Sequence, residues 1–71
     1  MIVEFNELKN NHSLLRETKV AIKEDGIIPV VLMYGEAQIK VNYIDSRFIV
    51  TEGQISKEQK EEIESLFNDE N

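Results

Sequence analysis

The 71-residue sequence predicts an α+β fold in the order α-β-β-β-α, a three-stranded antiparallel meander with the helices packed on one face. Three observations predict it. Leu14, Leu15, Thr18, Ala21 and Ile22 recur near the 3.6-residue period of a helix with one apolar face. Between residues 27 and 50, apolar and alternating stretches are separated by two short turn signals, Gly35-Glu36 and Asp45-Ser46. From Ser56 onward a capping pattern opens a segment in which Ile63, Leu66 and Phe67 share one helical face. The chain is read as one small domain, residues 1–71.

Taken in order, the first helix is bounded by Ser13 as N-cap, one residue ahead of the apolar stripe. Asn6 offers an earlier start that brings Leu8 into the stripe. Asp25-Gly26 closes the segment, with glycine free to take the left-handed position after a helix. Residues 18–24 also admit a strand, because Lys19-Val20-Ala21-Ile22-Lys23 alternates and Asp-Gly is a strong hairpin turn.

The first strand is Ile27–Tyr34, rich in β-branched residues. Pro29 cannot donate to a ladder and is tolerated there only near the strand's beginning or on an edge. In the second strand Ile39, Val41 and Tyr43 alternate with Lys40 and Asn42, the pattern of one wet face. Phe48–Val50 forms the third strand, closed by Glu52-Gly53. Ser56 and Gln59 then make the capping box of the last helix, with Ile55 leading in. The polar tail 68–71 is expected to fray. The expected core is Val30, Leu32, Ile39, Val41, Phe48, Val50, Ile63, Leu66 and Phe67.

Composition narrows the function. Fourteen acids against eight bases give a net charge of −6, with no cysteine, no tryptophan and one histidine. Disulfides, a cysteine zinc site and a Cys–His nucleophile are excluded. His12 lies in the polar stretch Asn10–Ser13 and reads as an exposed histidine near a helix cap, not as a metal ligand. The three glycines, at 26, 35 and 53, stand at element boundaries and build no phosphate-cradling loop. No metal, cofactor or catalytic group is therefore expected, and the chain is not read as an enzyme. The start of the chain lacks a basic region followed by a long apolar stretch, and the longest apolar run, Ile27–Tyr34, is too short to span a bilayer. The expected location is cytoplasmic.

Tyr34 and Tyr43 stand on consecutive predicted strands. Between residues 27 and 50, Lys40 and Arg47 are balanced by Glu36 and Asp45, so cross-strand packing explains the tyrosines better than base stacking. The acids are unevenly placed. From Ser56 to the end there are six acids and two bases, −4 on 16 residues, which leaves −2 for the first 55. Glu58, Glu61, Glu62, Ser65 and Asp69 follow i, i+3, i+4, i+7, i+11 spacing and share one stripe. Such a stripe is a solvated face or a docking surface for a basic partner. The expected function is a small acidic protein-binding regulator or inhibitor that meets its partner through Glu58, Glu61, Glu62 and Asp69.

The alternative is a nucleic-acid-binding or toxin–antitoxin-type module using Lys9, Arg16, Lys19 and Lys23 of the first helix. Double-stranded-RNA-binding domains resemble the predicted chain in element order alone. Their second helix opens with lysines, whereas here Lys57 and Lys60 stand among Glu58, Glu61, Glu62 and Glu64, so nucleic acid is not the expected partner. Finally, the strand Ile27–Tyr34 is apolar toward both faces while two helices cover only one. A homodimer, joined face to face or edge to edge, is the expected remedy.

Overall fold

The structure is a computed structural model that describes residues 1–24 and 29–69. The elements run β1 (Ile2–Glu4), α1 (Phe5–Asn10), α2 (His12–Lys23), β2 (Val31–Tyr34), β3 (Ala37–Ile44), β4 (Arg47–Glu52) and α3 (Lys57–Asn68). The sheet has four strands in the order β1-β2-β3-β4. The predicted antiparallel meander is present as β2, β3 and β4, but β1 adds a parallel pair, with Val3 opposite Leu32. The sheet is therefore mixed, and the α+β class holds, with one strand and one helix more than expected among the described residues.

Both additions come from the first third of the chain. β1 has only three residues, too few for any period to mark it, and its strand state comes from pairing with β2 across the helical connection. The single expected helix is two, broken at Asn11 in an extended conformation (φ −140°, ψ 96°). The Asn11 N–H closes α1 on the Leu8 carbonyl, and its side-chain Oδ1 accepts from the Leu14 N–H, 3.0 Å, to cap α2. Asn11, not Ser13, is thus the cap. Residues 18–23 are helical, because Thr18, Ala21 and Ile22 bury at helical spacing while Val20 faces solvent. The buried Thr18 hydroxyl donates to the Leu14 carbonyl, 2.8 Å, which leaves no orphaned polar atom there.

The Asp25-Gly26 stop and the first two residues of the expected strand lie outside the described residues. Of that strand's described residues Val31–Tyr34 are β structure, with Pro29 ahead of them. Gly35 takes φ +62° in the first turn. In the second, Asp45 and Ser46 both take positive φ, 51° and 66°, the backbone of a two-residue hairpin whose twist suits its strands. Gly53 has φ +145°, and a Cβ built there would stand 2.5 Å from Ile39 Cδ1. The positive φ favours glycine at that position, and any larger residue would also displace the end of the Ile39 side chain.

Alternation divides the sheet into two faces. Val3, Leu32, Ile39, Phe48 and Val50 point inward and form one core with Phe5, Leu8, Ile22, Ile63 and Phe67 of the helices. Val30, Val41 and Leu66, expected in the core, are half-buried at its rim. Phe67 meets Phe48 edge-on, with ring centroids 5.5 Å apart. Tyr34 packs on Phe5 and Tyr43 on Phe48, centroids 5.0 and 4.8 Å apart, so both tyrosines serve ring packing.

Two stability outcomes follow from this geometry. Ser46→Gly removes a left-handed penalty of about 1–2 kcal/mol, offset in part by glycine's unfolded-state entropy. A net gain near 1 kcal/mol should raise Tm by roughly 4–8 °C in a calorimetric scan. Phe67→Ala should cost roughly 3–5 kcal/mol, as fully buried aromatic truncations do, and a chemical melt of the variant should show little folded protein in water.

Candidate protein-interaction surface

The last helix carries the expected interaction residues, and its seating decides which of them are available. Ser56 and Gln59 form the predicted capping box: the Gln59 N–H donates to Ser56 Oγ, 3.1 Å, and the Ser56 N–H to Gln59 Oε1, 3.0 Å. One helical stripe, Ile63 and Phe67, is fully buried. The adjacent stripe, Glu64 and Asn68, reaches the free edge of β4. The Val50 N–H donates to Glu64 Oε2 at 2.9 Å, and the Phe48 N–H to Asn68 Oδ1 at 2.8 Å. Asn68 Nδ2 donates in return to the Phe48 carbonyl at 2.9 Å. Four helical residues rise about 6 Å and two strand residues about 6.7 Å, so i, i+4 side chains match alternate strand N–H groups. Two side chains of α3 thus supply the hydrogen bonds of a missing fifth strand. Asn68, expected in a fraying tail, is instead an anchor.

All four expected contact residues, Glu58, Glu61, Glu62 and Asp69, are exposed. Glu62 is not free in the same sense. Its Oε1 accepts from the Tyr34 hydroxyl at 2.6 Å, and its Oε2 lies 3.5 Å from Lys9 Nζ. Chiefly through the Tyr34 hydroxyl, and then through Lys9, its carboxyl is held below the usual glutamate range, with partial burial opposing. The same bond pushes the Tyr34 phenol up. Glu62 joins α3 to α1 and β2, a role that the stripe spacing did not reveal.

The basic residues of the alternative reading are largely turned to internal use. Lys9 pairs with Glu62 and stands 5.6 Å from the Phe5 ring centre. Lys19 is 8 % exposed, with Nζ 5.5 Å from the Phe48 centroid, and burial first and Lys23 second lower its affinity for the proton. Lys23 lies 5.0 Å from the Tyr43 ring centre. Arg16 and His12 are exposed on α2. A cavity of about 470 Å³ opens where β4 ends and α3 begins, bordered by Glu52, Gly53, Ile55, Lys57 and Lys60. The capping box already occupies the helix terminus there. Among the described residues no three or more His, Asp or Glu gather to hold a metal ion, and no helix is long and apolar enough to cross a membrane.

The Tyr34–Glu62 bond has a definite pH signature. Glu62's lowered folded value means that its contribution is present above the ordinary carboxylate range and lost as pH falls through that lowered value. In Tyr34→Phe the Glu62 carboxyl should titrate at higher pH by carbon-detected NMR. The difference in Tm between the two proteins should shrink on acidification.

No protein-family model, no curated protein and no solved structure matches the chain.

Proposed function

We propose that this chain is a non-enzymatic protein-binding module, a small regulator or inhibitor that docks a basic surface of another protein through the acidic outer face of α3. One observation carries the reading: the exposed acids stand on a helix held at three points along its length. Glu62, Glu64 and Asn68 tie α3 to β2, α1 and β4, while Glu58, Glu61 and Asp69 remain in solvent. Rigid display of like charge favours fast, salt-sensitive encounter with a complementary surface. The repulsion among these acids costs a few tenths of a kcal/mol per pair, so removing it should leave the fold intact. Glu62, whose carboxylate is already bonded, contributes to the field and not to direct contact.

The nucleic-acid reading is less well supported. Three of its four bases lie against aromatic rings, where they are unsuited to tracking phosphates. Net charge −6 opposes it as well.

The test begins with the partner recovered on the immobilised full chain from its source cells. The triple change Glu58→Gln, Glu61→Gln and Asp69→Asn should slow association roughly 10-fold at low salt and flatten its salt dependence, with dissociation nearly unchanged. Tm should hold or rise slightly. Unaltered association kinetics reduce the acidic face to a solvated surface. Salt-sensitive binding of the unmodified chain to nucleic acid favours the alternative.

A further inference from the structure

We propose that the outer face of the sheet, left open by the described residues, is a self-association surface on which a second copy of this chain stacks, sheet against sheet, about a two-fold axis. It lies opposite the helical layer and is independent of the acidic face of α3.

Strand register shows what this face presents. Ile2, Val31 and Met33 form an apolar corner on β1 and β2. Ile44 and Ile49 form another on β3 and β4. Ile2 is 76 % exposed and Ile44 47 %, while Val31, Met33 and Ile49 are half-buried. Between and beside the corners lie Gln38, Lys40, Asn42, Thr51 and Glu52, and the last four pair among themselves. Thr51 Oγ1 donates to Asn42 Oδ1 at 2.7 Å, and Lys40 Nζ lies 3.8 Å from Glu52. Such groups tolerate partial covering.

Charge on this face does not oppose a dimer. The outward strand residues include two acids, Glu4 and Glu52, and two bases, Lys40 and Arg47, a net charge of zero on a chain of −6. Glu4 and Arg47 stand at opposite ends of the face's diagonal, beside the two apolar corners. A two-fold axis lying between two stacked sheets and crossing that diagonal places each apolar corner on the opposite corner of the second copy. It also sets Glu4 against Arg47 of the second copy, twice. Strands of the two sheets then cross steeply, as in orthogonal sheet packing. The face is self-complementary in both shape of pattern and sign of charge, as an isologous interface requires.

Edge-to-edge pairing is disfavoured by the same structure. The β4 edge is occupied by Glu64 and Asn68, and β1 offers only three residues.

Sedimentation equilibrium of the full chain from micromolar to millimolar concentration tests the proposal. The mass should rise from 8.2 kDa toward twice that value. Met33→Lys should keep the chain monomeric. Glu4→Arg alone and Arg47→Glu alone should each weaken association about 10-fold or more, and the two together should restore it to within about 3-fold. Glu4 makes no side-chain cap bond to α1, and thermal melts by circular dichroism verify that each variant is folded. A mass of 8.2 kDa at every concentration overturns the proposal and leaves the face to a different protein. A dimer that survives Met33→Lys, or a charge swap that fails to rescue, overturns this face or this two-fold arrangement.

Discussion

The arrangement depends on how α3 seats against the edge of β4. An edge strand leaves alternate N–H and C=O groups without partners. Here the N–H groups of Phe48 and Val50 and the Phe48 carbonyl find them in Asn68 and Glu64. The same rotation of the helix turns Ile63 and Phe67 into the core, because they lie one residue behind the two polar anchors. It also turns Glu58, Glu61 and Asp69 outward. One seating thus closes a sheet edge, completes the core and sets the direction of the acidic face. A domain this small buries only about 60% of its unfolded surface, so hydrogen bonds that align an element also protect much of its packing.

The charged residues fall into two populations. Some make internal links. Glu62 gathers the Tyr34 hydroxyl and Lys9, Glu64 holds β4, and Lys19 and Lys23 lie over the Phe48 and Tyr43 rings. Others face solvent with no counter-role in the fold, Glu58, Glu61 and Asp69 among them. Net charge alone therefore overstates what a partner meets on one side and understates it on another. The helical layer presents the acids of α3, while the outer sheet face presents a balanced set around two apolar corners.

Much of the chain's middle and end was legible because its signals are local. Gly35, Asp45-Ser46 and the Ser56–Gln59 box each mark a boundary through the chemistry of a few neighbouring residues, and each stands where expected. The alternation of Ile39 with Lys40 and the helical spacing of Ile63 with Phe67 fix which side faces the core, and both sides agree with the structure. The split at Asn11 was harder. Asn10-Asn11-His12-Ser13 holds several capping residues in a row, and the cap is whichever one the packing of Leu8 and Ile22 leaves extended.

The sequence by itself determined the α+β class, the β2–β4 meander, the start of α3 and the stripe on which its acids lie, because these rest on periodicity and on turn and cap chemistry within a few residues. Only the tertiary structure decided that Ile2–Glu4 is a strand, that Glu62 is bonded while Glu58 is not, and that Asn68 anchors instead of fraying. Each of those outcomes needs partners 20 or more residues away in the chain. Residue spacing records which side chains share a face, but not which distant backbone groups stand opposite them. The supply of unpaired N–H groups on β4 exists only once the sheet has formed, and with it the reason for α3 to lie where it does.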